Sequence, residues 1–165
     1  MTTSPASAQF TSEQLAQISV DFLSTPSLAE LSDLGSERLE ALYLLGHSLY
    51  IMGEYEDALT AFKALCVYEQ REARFWLGLG AIYQATNKLS QAVDAYLMCS
   101  ISQGFSDPYP MLLSGQCLLK QLNKPMALAA WTAASEMGGE GPTHTAIRER
   151  AKNLIAAAQN YGTTS

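Results

Sequence analysis

Apolar residues recur every three or four positions through most of the chain, and the helical segments that this spacing predicts are themselves repeated. Glycines at positions 46, 80 and 115 are 34 and 35 residues apart, and each lies among large apolar residues at helical spacing. A small residue and then an aromatic residue follow each glycine, as the pairs Ala58/Phe62, Ala92/Tyr96 and Ala127/Trp131. Self-similarity at this period predicts three consecutive helical hairpins.

The middle copy resembles the tetratricopeptide signature almost letter for letter, at Trp76, Leu79, Gly80, Tyr83, Ala92 and Tyr96. Glycine in the first helix of each unit and alanine in the second leave room for the two helices to approach closely. We therefore predict an all-α fold, a tetratricopeptide-repeat solenoid of three helical hairpins. The predicted bounds of the hairpins are residues 39–72, 73–106 and 108–138.

Shorter segments flank the repeats and complete a single predicted domain over residues 10–160. We expect short N-terminal helices within residues 10–35 and a C-terminal helix over residues 143–160, which caps the open end of the solenoid. Residues 1–9 and 161–165 are expected to be disordered tails. The N-terminal segment carries an apolar stripe that either folds back on the chain or pairs with a second copy, made of Phe10, Leu15, Ile18, Phe22 and Leu23.

Composition favours helices and argues against several classes of function. Leu and Ala supply 23 residues each, whereas Val supplies 3 and Ile 6, a ratio typical of helices rather than strands. The net charge is −6 and the basic residues are not clustered, so we expect neither nucleic-acid binding nor membrane attachment. Because no apolar run is long enough to cross a bilayer and no secretory signal precedes the domain, we expect the protein in the cytosol.

Residues able to support catalysis or bind a metal are few. Cys66, Cys99 and Cys117 do not have metal-ligand spacing, and the two histidines lie in no nucleophile or metal motif. The glycine-rich stretch at residues 138–141 follows a predicted helix rather than a strand and lacks the lysine of a phosphate loop. We therefore expect no enzymatic activity, no cofactor and no metal.

The concave side of a helical-hairpin solenoid is lined by the first helix of each unit, and this side is the candidate binding groove. Its predicted residues are aromatic and aliphatic with isolated polar groups, which suits an extended apolar peptide. We expect them at the second, fifth, ninth and twelfth positions of each repeat, a set of positions that we call the predicted frame. The residues at these positions are Glu40, Tyr43, His47, Tyr50, Arg74, Leu77, Ala81, Gln84, Tyr109, Leu112, Gln116 and Leu119.

Three stretches of the repeats, residues 50–58, 63–68 and 74–81, resemble the class II (translocator) chaperones of bacterial type III secretion systems. The layout of short N-terminal helices, three repeats and one C-terminal helix is similar as well. The resemblance implies a cytosolic chaperone, often a homodimer, whose groove holds an extended translocator segment with a Pro-x-Leu-x-Pro-like motif. Translocators form the secretion pore in a host membrane. The chain departs from the family pattern at His47, where an aromatic residue is common, and at Lys124–Pro125 in the third-repeat turn.

Two other functions fit a tetratricopeptide solenoid. One is a generic scaffold that binds unrelated proteins through its repeats. The other is a chaperone of a different secretion component, such as the needle subunit, although needle co-chaperones are usually shorter. The protein that the chain captures in its native bacterium would distinguish these alternatives.

Overall fold

The computed structural model describes residues 13, 17, 20, 24, 26–32 and 35–160. Within these residues the regular secondary structure is entirely helical, which confirms the all-α class and the repeat solenoid. The helices of the continuous ranges are α1 (Leu28–Leu31), α2 (Ser36–Met52), α3 (Tyr55–Tyr68), α4 (Ala73–Ala85), α5 (Leu89–Ser102), α6 (Tyr109–Lys120), α7 (Lys124–Glu136) and α8 (Pro142–Asn160).

The structure describes only part of the N-terminal segment. Ser27 begins α1 with a capping box: its hydroxyl accepts from the backbone N–H of Glu30, and the Glu30 carboxylate accepts from the N–H of Ser27. The side chain of Arg71 pairs with Glu30 and so ties α1 to the connection between α3 and α4. The five residues of the predicted oligomerisation stripe lie outside the described residues, as do both predicted tails. Pairing of two copies through this stripe stays a prediction.

The three hairpins are α2–α3, α4–α5 and α6–α7, and each turns through one residue with positive φ. These residues are Gly53 at 83°, Asn87 at 58° and Leu122 at 61°. Each turn repeats the same pair of backbone hydrogen bonds, one over three residues and one over five, so the turns are Schellman-type helix ends. The period of the sequence therefore reappears as a period of backbone conformation.

Each hairpin is held together by a glycine of the first helix that faces an aromatic ring of the second. Phe62, Tyr96 and Trp131 are at most 2% exposed, and each lies against the repeat glycine that precedes it by sixteen positions. A Cβ atom on Gly46 would lie 3.1 Å from Cε2 of Phe62. The glycines thus make room for aromatic rings as much as for the small residues of the second helices. Ala58, Ala92 and Ala127 are themselves fully buried beside the rings.

The C-terminal helix α8 packs against α7 and α6 and covers the end of the solenoid. Ala151 is fully buried in this contact. Arg148 fixes the approach to the helix, because its Nη1 donates to the carbonyl oxygens of Met137, Gly138 and Gly139 at 3.3, 3.1 and 2.9 Å. No helix in the described part of the chain has the length and apolar character needed to cross a membrane.

Candidate functional site

The first helices of the three hairpins, α2, α4 and α6, border a groove made of two adjoining cavities. The two cavities have volumes of about 270 and about 500 Å³ and share Tyr50, Ala81, Tyr109 and Leu113. We call them the apolar cavity and the polar cavity. The apolar cavity is lined, besides the shared residues, by Tyr43, His47, Phe62, Arg74, Leu77 and Gly78. The polar cavity adds Gln84, Ala85, Tyr96 and Lys120.

Tyr43 is the centre of an aromatic cluster in the wall of the apolar cavity. Its ring centroid lies 5.8 Å from those of Phe62 and Phe75, with the Phe62 ring edge-on. The guanidinium carbon of Arg74 lies 4.9 Å from the Tyr43 centroid, within range of a cation–π interaction. These contacts hold the ring in one orientation, so the wall presents a flat surface that needs little ordering when a ligand binds.

Arg74 is tied into this wall by two carboxylates. Its guanidinium lies 3.2 Å from Glu40 of α2 and 3.2 Å from Glu72, the residue before α4. Hydrogen bonds to Glu72 and then to Glu40 raise the pKa of Arg74 above its usual value. The positive charge is therefore balanced within the wall.

The polar cavity differs from its neighbour in its hydrogen-bonding groups. The hydroxyl of Tyr96 donates to Oε1 of Gln84 at 2.7 Å. Burial raises the pKa of Tyr96 above its usual value of 10.0, so the phenol stays protonated and able to donate even in alkali. This hydrogen bond uses one of the two lone pairs of the Gln84 carbonyl and fixes the orientation of the amide, whose NH₂ can donate to a ligand. Lys120, at the last position of α6, adds an ammonium group.

Tyr109 stands at the junction of the two cavities, at the start of α6. The carboxylate of Asp107 accepts from the backbone N–H of Tyr109 at 2.9 Å and fixes the first turn of the helix. Across the groove, Tyr50 lies with its ring 5.9 Å from Tyr55. The side chain of Tyr109 is 38% exposed, so much of its ring is free to contact a ligand.

The structure brings together most of the predicted groove residues. Those that line one or both cavities are Tyr43, His47, Tyr50, Arg74, Leu77, Ala81, Gln84 and Tyr109. Glu40 does not line either cavity, but it pairs with Arg74 at the edge of the groove. Seven of the eight positions predicted in the first two repeats thus border the cavities, and their contact with a peptide stays a prediction.

The third repeat departs from the predicted frame. The placement of Leu112 in the groove is wrong: its side chain is fully buried in the cluster that Trp131 and Ala151 form between α6, α7 and α8. The neighbouring Leu113 lines the groove in its place. Gln116 is half-buried and lines neither cavity.

Leu119 is also misplaced by the frame, because it lines a separate cavity of about 420 Å³ beside α8, with Lys124, Trp131, Leu154, Ala157 and Ala158. Unlike Leu112, Leu119 stays 40% exposed, so α8 borders its side chain without covering it. Helix α8 packs on the last hairpin and takes up the apolar surface on that side of α6, so a different line of α6 residues faces the groove.

Six lining residues were missed by counting positions: Phe62, Gly78, Ala85, Tyr96, Leu113 and Lys120. Phe62 belongs to a second helix and was assigned to the hairpin interior. Gly78 had a detectable signal, because only the second repeat carries an additional glycine two positions before the repeat glycine. A side chain at residue 78 would overlap the Phe62 ring. Glycine at this position therefore lets Phe62 reach the cavity wall.

Comparison with known proteins agrees with this architecture. The tetratricopeptide repeat model matches residues 39–70 and 75–101. Low calcium response locus protein H of Yersinia pseudotuberculosis is 31% identical over 131 residues, which cover 79% of this chain and 77% of that protein.

Two solved structures extend the comparison to the fold. The type III secretion translocator chaperone SycD of Yersinia enterocolitica is 30% identical and superposes with a TM-score of 0.72, covering 81% of this chain and 98% of that chain. SycD in complex with a peptide of the translocator YopD is 29% identical with a TM-score of 0.71, covering 78% and 98%. The chain thus belongs to the family of tetratricopeptide-repeat translocator chaperones of bacterial type III secretion systems.

Proposed function

We propose that the protein is a type III secretion chaperone that holds an extended apolar segment of a translocator in its groove. Family membership supports the class of protein. The relative SycD, whose fold the chain shares, has been solved with a peptide of the translocator YopD. The proposed site of action is the bacterial cytosol, before export of the translocator.

The observation that carries the proposal is the apolar cavity between the first helices. The rings of Tyr43, Tyr50 and Tyr109 and the side chain of Leu77 line a space of about 270 Å³. This is enough to enclose one or two aliphatic side chains while the rest of an extended segment stays on the surface. Rigid aromatic walls provide large contact area at low entropic cost, as peptide-binding grooves require.

The arrangement accounts for chaperone action without any chemical step. A translocator carries long apolar segments that would aggregate or assemble early in water. Binding one of these segments in the groove covers its apolar surface. The translocator then stays soluble and cannot assemble early with its partner in the pore. Since the complex must dissociate at export, we expect moderate rather than extreme affinity.

Tyr109 is the best residue for a test, because Tyr43 packs against Phe62 and Phe75 and its truncation would also disturb the core. We expect Tyr109→Ala to weaken binding of a translocator-derived peptide by about 5–30-fold, with little change in melting temperature. The measurement is a fluorescence titration together with a thermal melt.

Tyr83→Ala is the matched control. Tyr83 lines neither cavity and packs, half-buried, against two of the apolar clusters. The Tyr83→Ala variant should therefore have a lower melting temperature. At temperatures below its melting transition it should bind the peptide with unchanged affinity. Equal affinity of Tyr109→Ala and the native chain would contradict the proposal. So would capture, from the native bacterium, of a small needle protein instead of a translocator.

A further inference from the structure

We propose that Lys120 recognises an acidic side chain of the bound segment and thereby fixes the direction in which the segment lies in the groove. The acidic residue would stand on one flank of the apolar stretch, over the polar cavity. This inference rests on the proposed function and specifies its ligand: an apolar segment with a carboxylate on one side only.

The first argument is the distribution of charge along the groove. Of the two cations that line it, Arg74 has carboxylates of Glu40 and Glu72 at 3.2 Å and so carries little unbalanced charge. Lys120 is exposed, and no carboxylate lies within ion-pairing distance of it in the described part of the chain. The cation available to a ligand is thus at one end of the groove.

The second argument is the set of donors around Lys120. The Tyr96 hydroxyl donates to the carbonyl oxygen of Gln84 and so fixes the orientation of the amide, whose N–H groups can donate to a ligand. Gln84 and Lys120 line the same cavity, so an ammonium group and amide donors face one space. A carboxylate accepts from both kinds of donor, whereas a lysine or arginine of the ligand would meet the like charge of Lys120.

The third argument is the contrast between the two cavities. The two cavities adjoin, because they share Tyr50, Ala81, Tyr109 and Leu113. When a segment places an apolar side chain in the apolar cavity, its neighbouring residues on one side therefore lie over the polar cavity. The wall at the opposite end already contains the paired carboxylates of Glu40 and Glu72. An acidic flank placed at that end would meet like charge. The two ends therefore favour the same direction of binding.

The test uses short synthetic peptides with the same Pro-x-Leu-x-Pro-type centre and one Glu on either the N-terminal or the C-terminal flank. We expect the native chain to prefer one of the two peptides by about 3–10-fold, consistent with a partly shielded ion pair, and to lose most of that preference at high ionic strength. Lys120→Met should bind both peptides equally. Lys120→Glu should instead prefer a third peptide, in which Lys replaces the Glu of the favoured flank.

Lys124→Glu is the control for net charge, since Lys124 lies at the start of α7 and lines the cavity beside α8 instead of the groove. It should keep the native preference. A native chain that binds both peptides with equal affinity overturns the role of Lys120 and leaves the groove itself intact. A preference that survives in Lys120→Met overturns it as well. Failure of the native chain to bind either peptide would remove the proposed function and this inference together.

Discussion

The ring of Tyr96 occupies the space that any side chain at Gly80 would need, since a Cβ atom there would lie 2.5 Å from Cε1 of Tyr96. Tyr96 is 1% exposed and its hydroxyl is held by Gln84, so the ring has little freedom to move aside. The closeness of helices α4 and α5 therefore depends on the absence of a side chain at one position.

We expect Gly80→Ala to destabilise the protein by about 1–3 kcal/mol, and Gly80→Leu to disrupt the repeat region, because both overpack this contact. Thermal melts followed by circular dichroism measure the effect. Gly138→Ala is the control, as a Cβ atom at Gly138 would meet nothing within 4 Å and the residue has no positive φ. A Gly80→Leu variant with native helicity and melting temperature would show that the ring is not fixed as described.

Leu122 offers a stabilising substitution. It is 90% exposed and adopts φ of 61°, a left-handed conformation that is costly for a leucine. Leu122→Gly should raise the free energy of unfolding by about 0.5–1 kcal/mol, after the entropy cost of glycine is subtracted. Asn87→Gly at the equivalent turn should change stability much less, because asparagine tolerates this conformation. A chemical denaturation series on both variants tests the comparison, and a gain at Asn87 equal to that at Leu122 would refute it.

Arg148 should determine how firmly α8 stays docked. Arg148→Met removes a charged donor from three carbonyl groups, and we expect a loss of about 1–3 kcal/mol, felt first as faster amide exchange in α8. Arg150→Met, at an exposed position of the same helix, is the control. Equal exchange rates in the two variants would mean that the three carbonyls do not need Arg148.

The buried thiols predict a loss of stability in alkali. Burial raises the pKa of Cys66 and of Cys99 from 9.0 to about 12, with a smaller contribution from nearby charges. Above pH 9 the unfolded chain gives up these protons while the folded chain keeps them, so the free energy of unfolding falls as pH rises towards 12.

Two measurements check this. Replacing Cys99 by Ala should flatten the fall in denaturation free energy above pH 9, although it also removes packing. Alkylation at pH 8 should be far slower for the folded chain than for the chain in denaturant, because the thiolate is the reactive form. Rapid alkylation of the folded chain would contradict the burial of these side chains.

The repeat period was sufficient to predict the hairpins, because the contact that requires Gly46, Gly80 or Gly115 lies within the same hairpin as the glycine. The groove positions of the first two repeats follow from the same frame for the same reason. Leu112 and Leu119 do not, since their environment is set by α8, a helix outside the repeat. Phe62 could not be predicted from its own repeat either. Its ring reaches the groove wall only because Gly78, in the next hairpin, has no side chain.

Phe62 joins the core of the first hairpin to the wall of the groove. Its ring fits between Gly46 of α2 and Gly78 of α4, is 2% exposed, and still borders the apolar cavity. A mutation that reshaped this wall would weaken two helix contacts at once, so adaptation to a different translocator is restricted to lining residues outside this contact, such as Leu77 and Tyr109. We therefore expect related chaperones to keep this part of the groove wall unchanged. Residues at the edge of the groove should vary with the translocator that each chaperone binds.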